Sequence, residues 1–121
     1  MKRELHLEVQ LLETPLAVLR LQGAVDSENA ETLQQSLDGT LDQGRDHLAL
    51  EMSGLEFMST AGWSVLVGTL RRVRTRRGSI HLVALNREVA DVYDLLEFGK
   101  LMPRHADLDE ALSAIRAGVA L

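Results

Sequence analysis

The chain contains no cysteine, which excludes disulfides and thiolate metal centres. Aromatic residues are only 3% of its 121 residues, so a core has to be built from leucine, valine, alanine and methionine. No apolar run approaches the ~20 residues that a membrane-spanning helix needs. The opening Met1-Lys2-Arg3-Glu4-Leu5-His6 alternates in polarity and lacks the apolar centre of a secretory signal. A cytoplasmic protein is the expectation. Positive charge is not in excess: 13 Lys and Arg face 18 Asp and Glu, a formal net charge of -5, which argues against nucleic acid as partner. His6, His47, His81 and His105 are scattered without ligand spacing, so no metal site is expected. No Ser–His–Asp order, glycine-rich phosphate loop or pair of catalytic carboxylates stands out, so neither catalysis nor a cofactor is expected.

What is present is the composition of one folded domain, 1–121, with 45% hydrophobic and 26% charged residues. Leu5, Leu7, Val9 and Leu11 alternate with polar residues, the period of a strand with one buried face. Thr14-Pro15 turns the chain into a second, more apolar strand over 16–21, and the short link predicts a hairpin. Gly23-Ala24-Val25-Asp26 leaves that strand, and Asp26 or Ser27 is placed to cap a helix whose inward stripe is Ala30, Leu33, Leu37 and Leu41, with Gly44 just past its end. A third strand covers 47–52. A second helix carries Trp63, Leu66, Val67, Leu70 and Val73 on one face and stops at Gly78. A buried strand over 80–85 follows. Asn86 caps a third helix with Val89, Val92, Tyr93 and Leu96 inward and Gly99 as its stop. Leu101-Met102 reads as a short edge strand, and Asp107 with Glu110 as the capping box of a last helix lined by Leu108, Ala111, Leu112 and Ile115. Strand–helix alternation of this kind implies an α/β fold: a mixed, mostly parallel sheet of four to five strands packed with about four helices.

The junction between the third strand and the second helix is the most informative stretch. Ser59-Thr60-Ala61-Gly62 presents hydroxyls where a strand hands over to a helix, and the N–H groups and dipole of a helix start favour an anion. Thr60 reads either as a helix cap or as an acceptor of phosphate, and Ser59 carries the same two readings. Trp63 reads as core by its spacing and as a partner anchor by its place in the first turn; Met58 offers the same choice. Arg71, Arg72, Arg74, Arg76 and Arg77 read as a solvated helix end whose cations suit the dipole, or as a docking surface for an acidic partner.

These residues resemble the STAS domain, the family named for sulfate transporters and anti-sigma factor antagonists, over nearly the whole chain. Leu21-Gln22-Gly23-Ala24-Val25-Asp26 is similar to its segment after the second strand. Leu50-Glu51-Met52-Ser53-Gly54-Leu55-Glu56-Phe57-Met58 resembles its third strand and following loop, and Asp109-Glu110-Ala111-Leu112 the start of its last helix. Ser59-Thr60-Ala61-Gly62 falls on its Asp-Ser-Ser-Gly or Asp-Ser-Thr-Gly site. Thr60 takes the place of the phosphoacceptor, Ser59 that of the Asp, Ala61 that of the second hydroxyl, and Gly62 aligns directly. The resemblance implies a bacterial signalling protein that regulates transcription. In its unmodified form it binds an anti-sigma factor that is also a serine/threonine kinase. Phosphorylation at the start of the second helix switches it off, and a phosphatase resets it. Asp26, Met58, Ser59, Ala61, Gly62 and Trp63 would surround the interface. The alternative it implies is a non-phosphorylated subunit of a transport ATPase, including a lipid-transport complex, or a signalling scaffold.

Overall fold

The computed structural model describes residues 4–119; residues 1–3 and 120–121, the two ends of the expected domain, lie outside the described residues. The elements are β1 (Leu5–Leu11), β2 (Leu16–Val25), α1 (Ala30–Asp42), β3 (His47–Met58), α2 (Thr60–Thr75), β4 (Ser79–Val83), α3 (Arg87–Leu95), a 3-10 turn (Phe98–Lys100), β5 (Arg104–His105) and α4 (Leu108–Gly118). The five strands form one sheet in sequential order, with β1 antiparallel to β2 and every later pair parallel. A mixed, mostly parallel sheet with four helices is the architecture that the strand–helix alternation implies.

The pleat sorts side chains to two faces. Ala17, Leu19 and Leu21 of β2 join Leu48, Leu50 and Met52 of β3 in the larger core, closed by Leu33 and Leu37 of α1, Leu66 and Leu70 of α2, and Val89 and Tyr93 of α3. Leu16, Val18 and Ala49 point the other way, under Ile115 of α4. The inward stripe foreseen for α1 is buried throughout, and Gly44 takes φ 77 just past its end.

Several expectations are corrected. The face of β1 is not buried along its length: Val9 and Leu11 are 41% and 44% exposed. β1 is an edge strand, and its outer half faces a groove of about 480 Å³ lined by Ser36, Gly39, Thr40 and Gln43 of the α1 side, residues too short or polar to fill it. β2 runs on to Val25 and β3 to Met58, where a loop was expected. Their ladder persists through register shifts between Arg20 and Gln22 and between Gly23 and Ala24, and such irregularities break the period-two signature that identifies a strand. α1 starts at Ala30, with Asn29 at the cap position and no side-chain cap, so neither Asp26 nor Ser27 caps it. Val67 of α2 is half-buried. β4 ends at Val83, and Ala84 takes φ 58.

Leu96, expected inward, is 52% exposed. α3 stops at Leu95, and Glu97 turns the chain with a left-handed φ of 55 before Gly99 is reached. The last strand is Arg104–His105 and not Leu101-Met102. Met102 is buried, and its carbonyl accepts the Tyr93 hydroxyl at 2.6 Å. At the end of α2 the left-handed residue is Arg77 (φ 61), and Gly78 N–H closes the helix by donating to the Val73 carbonyl at 2.7 Å. Gly78 serves a different need, because a Cβ there would collide with the Asp46 carbonyl. Asp107 caps α4 by accepting from Glu110 N–H at 2.8 Å.

Candidate functional site

Parallel strands deliver their C-terminal ends to one edge of the sheet, and helix starts gather there. Val25 and Met58 end β2 and β3 side by side. Ser59 N–H donates to the Val25 carbonyl at 2.9 Å, which fixes the β3–α2 junction against the β2–α1 loop. That loop is rigid by reciprocal hydrogen bonds. Asp26 Oδ1 accepts from the N–H groups of Glu28 at 2.9 Å and Asn29 at 3.1 Å. Asn29 Oδ1 accepts from Asp26 N–H at 2.9 Å, and its amide donates to the Ala24 carbonyl. On the other flank Asn86 caps α3, accepting from Val89 N–H at 2.8 Å, while its amide donates to the carbonyls of Leu55 and Glu56 at 3.0 and 3.2 Å. Asn29 and Asn86 are the framework residues of this edge. Asn86 was legible as a cap; Asn29 had only its spacing of three from Asp26 to announce it.

At the centre, Ser59 is the N-cap of α2. Its backbone is extended (φ -75, ψ 169) and its Oγ accepts from Gly62 N–H at 3.3 Å. The cap reading of the junction therefore belongs to Ser59 and not to Thr60. Thr60 is the first helical residue and is exposed, and among the described residues no hydrogen bond engages its hydroxyl. Ala61 is half-buried beside it. Gly62 is buried against β2 and β3: a Cβ would strike Met58 Sδ and stand 2.8 Å from Val25 Cγ1. No acidic residue occupies the first turn of α2, so its dipole is left uncompensated by its own side chains.

Two residues read as possible partner contacts are interior ones. Trp63 is 4% exposed and Met58 5%, because the first turn of α2 carries Trp63, and the end of β3 carries Met58, into the larger core. Trp63 packs on Phe98, ring centroids 5.0 Å apart, and its buried indole N–H has no partner among the described residues. The surface at this edge is made by Asp26, Ser59, Thr60 and Ala61, with Met58, Gly62 and Trp63 as the layer beneath.

The histidines are less scattered than the sequence implies. Strand pairing brings His81 Nδ1 to 2.8 Å from His105 Nε2, with Glu110 Oε1 3.3 Å from His105 Nδ1. Burial first, then the neighbouring His105 and His47, pushes the His81 pKa down to about 4. Among the described residues no group of three or more His, Cys, Asp or Glu is disposed to hold a metal ion. No helix among them is long and apolar enough to cross a membrane.

The chain is 27% identical over 99 residues to the anti-sigma-F factor antagonist RsfA of Mycobacterium tuberculosis, covering 80% of this chain and 77% of that one. An anti-sigma factor antagonist from Mycobacterium paratuberculosis superposes with a TM-score of 0.84 at 23% identity, over 93% of this chain and 95% of the other. SpoIIAA of Bacillus has been solved unphosphorylated (TM-score 0.80, 20% identity, 96% and 100% covered) and phosphorylated (TM-score 0.73, 19% identity, 92% and 100% covered). Residues 8–111 match the family model of the STAS domain, and with the five-stranded mixed sheet and four helices in the same order, the chain belongs to the STAS domain family.

Proposed function

We propose that this chain is an anti-sigma factor antagonist. In its unmodified form it binds an anti-sigma factor that is also a serine/threonine kinase, through the edge formed by Asp26, Ser59, Thr60 and Ala61. Phosphorylation of Thr60 dissociates the pair, and a phosphatase resets it. The chain itself performs no catalysis in this reading, which extends the domain over 1–121 and places it in the cytoplasm. The observation that carries the proposal is the division of labour between two hydroxyls: Ser59 caps α2, and Thr60 is exposed, its hydroxyl without a hydrogen bond among the described residues. A phosphate on Thr60 would bring roughly -1.5 to -2 charges to a helix start whose dipole favours anions. The domain therefore keeps its fold while the interface is lost to repulsion and desolvation. Names and forms of relatives support the same reading: RsfA as an antagonist, and SpoIIAA as a protein with a phosphorylated form.

The test is incubation with the cognate kinase and ATP, followed by phosphopeptide mapping. Modification at Thr60 that is abolished in T60A is the expected result. Modification outside residues 59–60, or none, would sink the switch. A second reading rests on Ser59, a neutral cap where the resemblance expects an acidic residue: a STAS subunit that grips a transport ATPase permanently, without phosphorylation. Affinity purification that returns an ATPase and a permease in place of a small kinase would decide for it.

A further inference from the structure

We propose that Arg71, Arg74 and Arg77 form a second docking surface on the same partner and seat against its carboxylates; the inference rests on the function proposed above. Five arginines lie between positions 71 and 77, and helical period divides them. Arg72 and Arg76, four apart, turn towards α1. Arg72 pairs with Asp38, and Arg76 reaches Asp46 at 3.2 Å and the Leu41 carbonyl at 3.3 Å. These two are occupied by the fold. Arg71 and Arg74 face the other side of α2, where Arg74 Nη2 only reaches the Leu101 carbonyl at 3.5 Å. Among the described residues, Arg71 and Arg77 enter no ion pair.

The dipole suits Arg74, in the last turn of α2, and Arg77 just past its end, but not Arg71: its influence fades within the last turn, and Arg71 lies a full turn before Thr75, the end of α2. Arg77 sits in the left-handed region at φ 61, a conformation that favours glycine. Arg77 is nonetheless exposed, just past the end of α2. The patch is also an exception in a chain of net charge -5.

Thr60, Ser64, Val67, Arg71 and Arg74 follow one another at offsets of four, seven, eleven and fourteen, a single stripe along the helix. Thr60 and Arg74 are therefore about 21 Å apart. Half-buried Val67 and Leu101, 37% exposed, supply apolar contact beside the arginines. A partner lying along α2 meets the hydroxyl at one end and the cations at the other. Its matching face carries carboxylates about 20 Å from the site that engages Thr60. At physiological salt the screening length is about 8 Å, so a phosphate on Thr60 does not reach the arginines. The affinity left after phosphorylation, too weak to keep the pair together, still depends on salt through the basic end.

The experiment is calorimetric titration of the full chain with the purified anti-sigma factor at about 50 and about 300 mM salt. The variants are R71E/R74E/R77E, the milder R71Q/R74Q, and T60E. The charge reversals are expected to weaken binding about tenfold at low salt and to flatten its salt dependence, with a smaller change of the same sign in the glutamine pair. T60E is expected to bind weakly and with the salt dependence retained. If both arginine variants bind like wild type while T60E dissociates, the docking surface is overturned and the proposed function stands. If wild type does not bind the anti-sigma factor, both fall. Unchanged affinity for the protein, together with sedimentation on phosphatidylglycerol vesicles that the triple variant loses, would reassign the arginines to a lipid surface.

Discussion

Ser59 and Thr60 are adjacent hydroxyl residues with different tasks, and the difference is set by one step of backbone geometry. The residue just before a helix has extended dihedrals and turns its side chain back to the first-turn N–H groups; the next residue points outward. Ser59→Ala should therefore cost about 1 kcal/mol in urea unfolding, while Thr60→Ala leaves stability nearly unchanged. Ser59→Asp keeps the cap and adds an anion at the positive end of the dipole. It should equal or exceed wild type by about 0.3–1 kcal/mol, with the gain lost in high salt. Gly62→Ala should behave against helix propensity. Alanine favours a helix interior by about 1 kcal/mol, but the added methyl would strike Met58 and Val25. Overpacking typically costs about 1–3 kcal/mol, so a net loss in the unfolding midpoint is expected. The hydroxyls and the glycine were legible as a candidate site because they lie in one short run. Which hydroxyl caps and which is free was not, since both residue types suit both positions.

At the level of elements, the helices were readable and the strand ends were not. The stripes of α1 and α2 repeat over several turns, so a single exception such as Val67 does not hide the period. β2 and β3 each change register near their C-terminal ends, and a shift of one residue exchanges inside for outside. The sequence of 53–58 therefore reads as a loop although it pairs with β2. Helix ends were misplaced for a related reason. Gly78 and Gly99 are the conspicuous breakers, yet the left-handed turns fall on Arg77 and Glu97. Arg77→Gly should raise stability by up to about 1 kcal/mol by relieving that conformation. An unchanged or lowered midpoint in denaturant would show that the arginine side chain contributes to folding in its own right.

The whole molecule adds a pH dependence that no single element predicts. His81 of β4 is 8% exposed and contacts His105 of β5, which Glu110 of α4 approaches in turn. Its pKa falls from 6.5 to about 4 in the fold, so the folded state holds it neutral. Below the unfolded value the unfolded chain binds the proton first. Stability from this group is complete above pH 6.5, declines as the pH falls, and levels off below about 4. The loss between about pH 7 and pH 5 should approach 2 kcal/mol, read as a falling urea midpoint. His47 is shifted in the same direction by burial and adds to it. His81→Gln should flatten the profile.

By itself the sequence determined the fold class, the order of elements and where the candidate site lies along the chain. These depend on local signals: periodicity, capping residues and a short motif that keep their meaning without tertiary context. The structure decided what those signals leave open. Trp63 and Met58 went inside because the first turn of α2 and the end of β3 bring them onto the larger core. Asp26 became a loop clamp because β2 extends to Val25 and delays α1 to Ala30. Among the described residues Arg72 is ion-paired and Arg71 is not, because α1 covers one side of α2 and supplies Asp38. Each of these outcomes depends on what packs against a residue, and contacts between distant segments have no period along the chain from which they could be read.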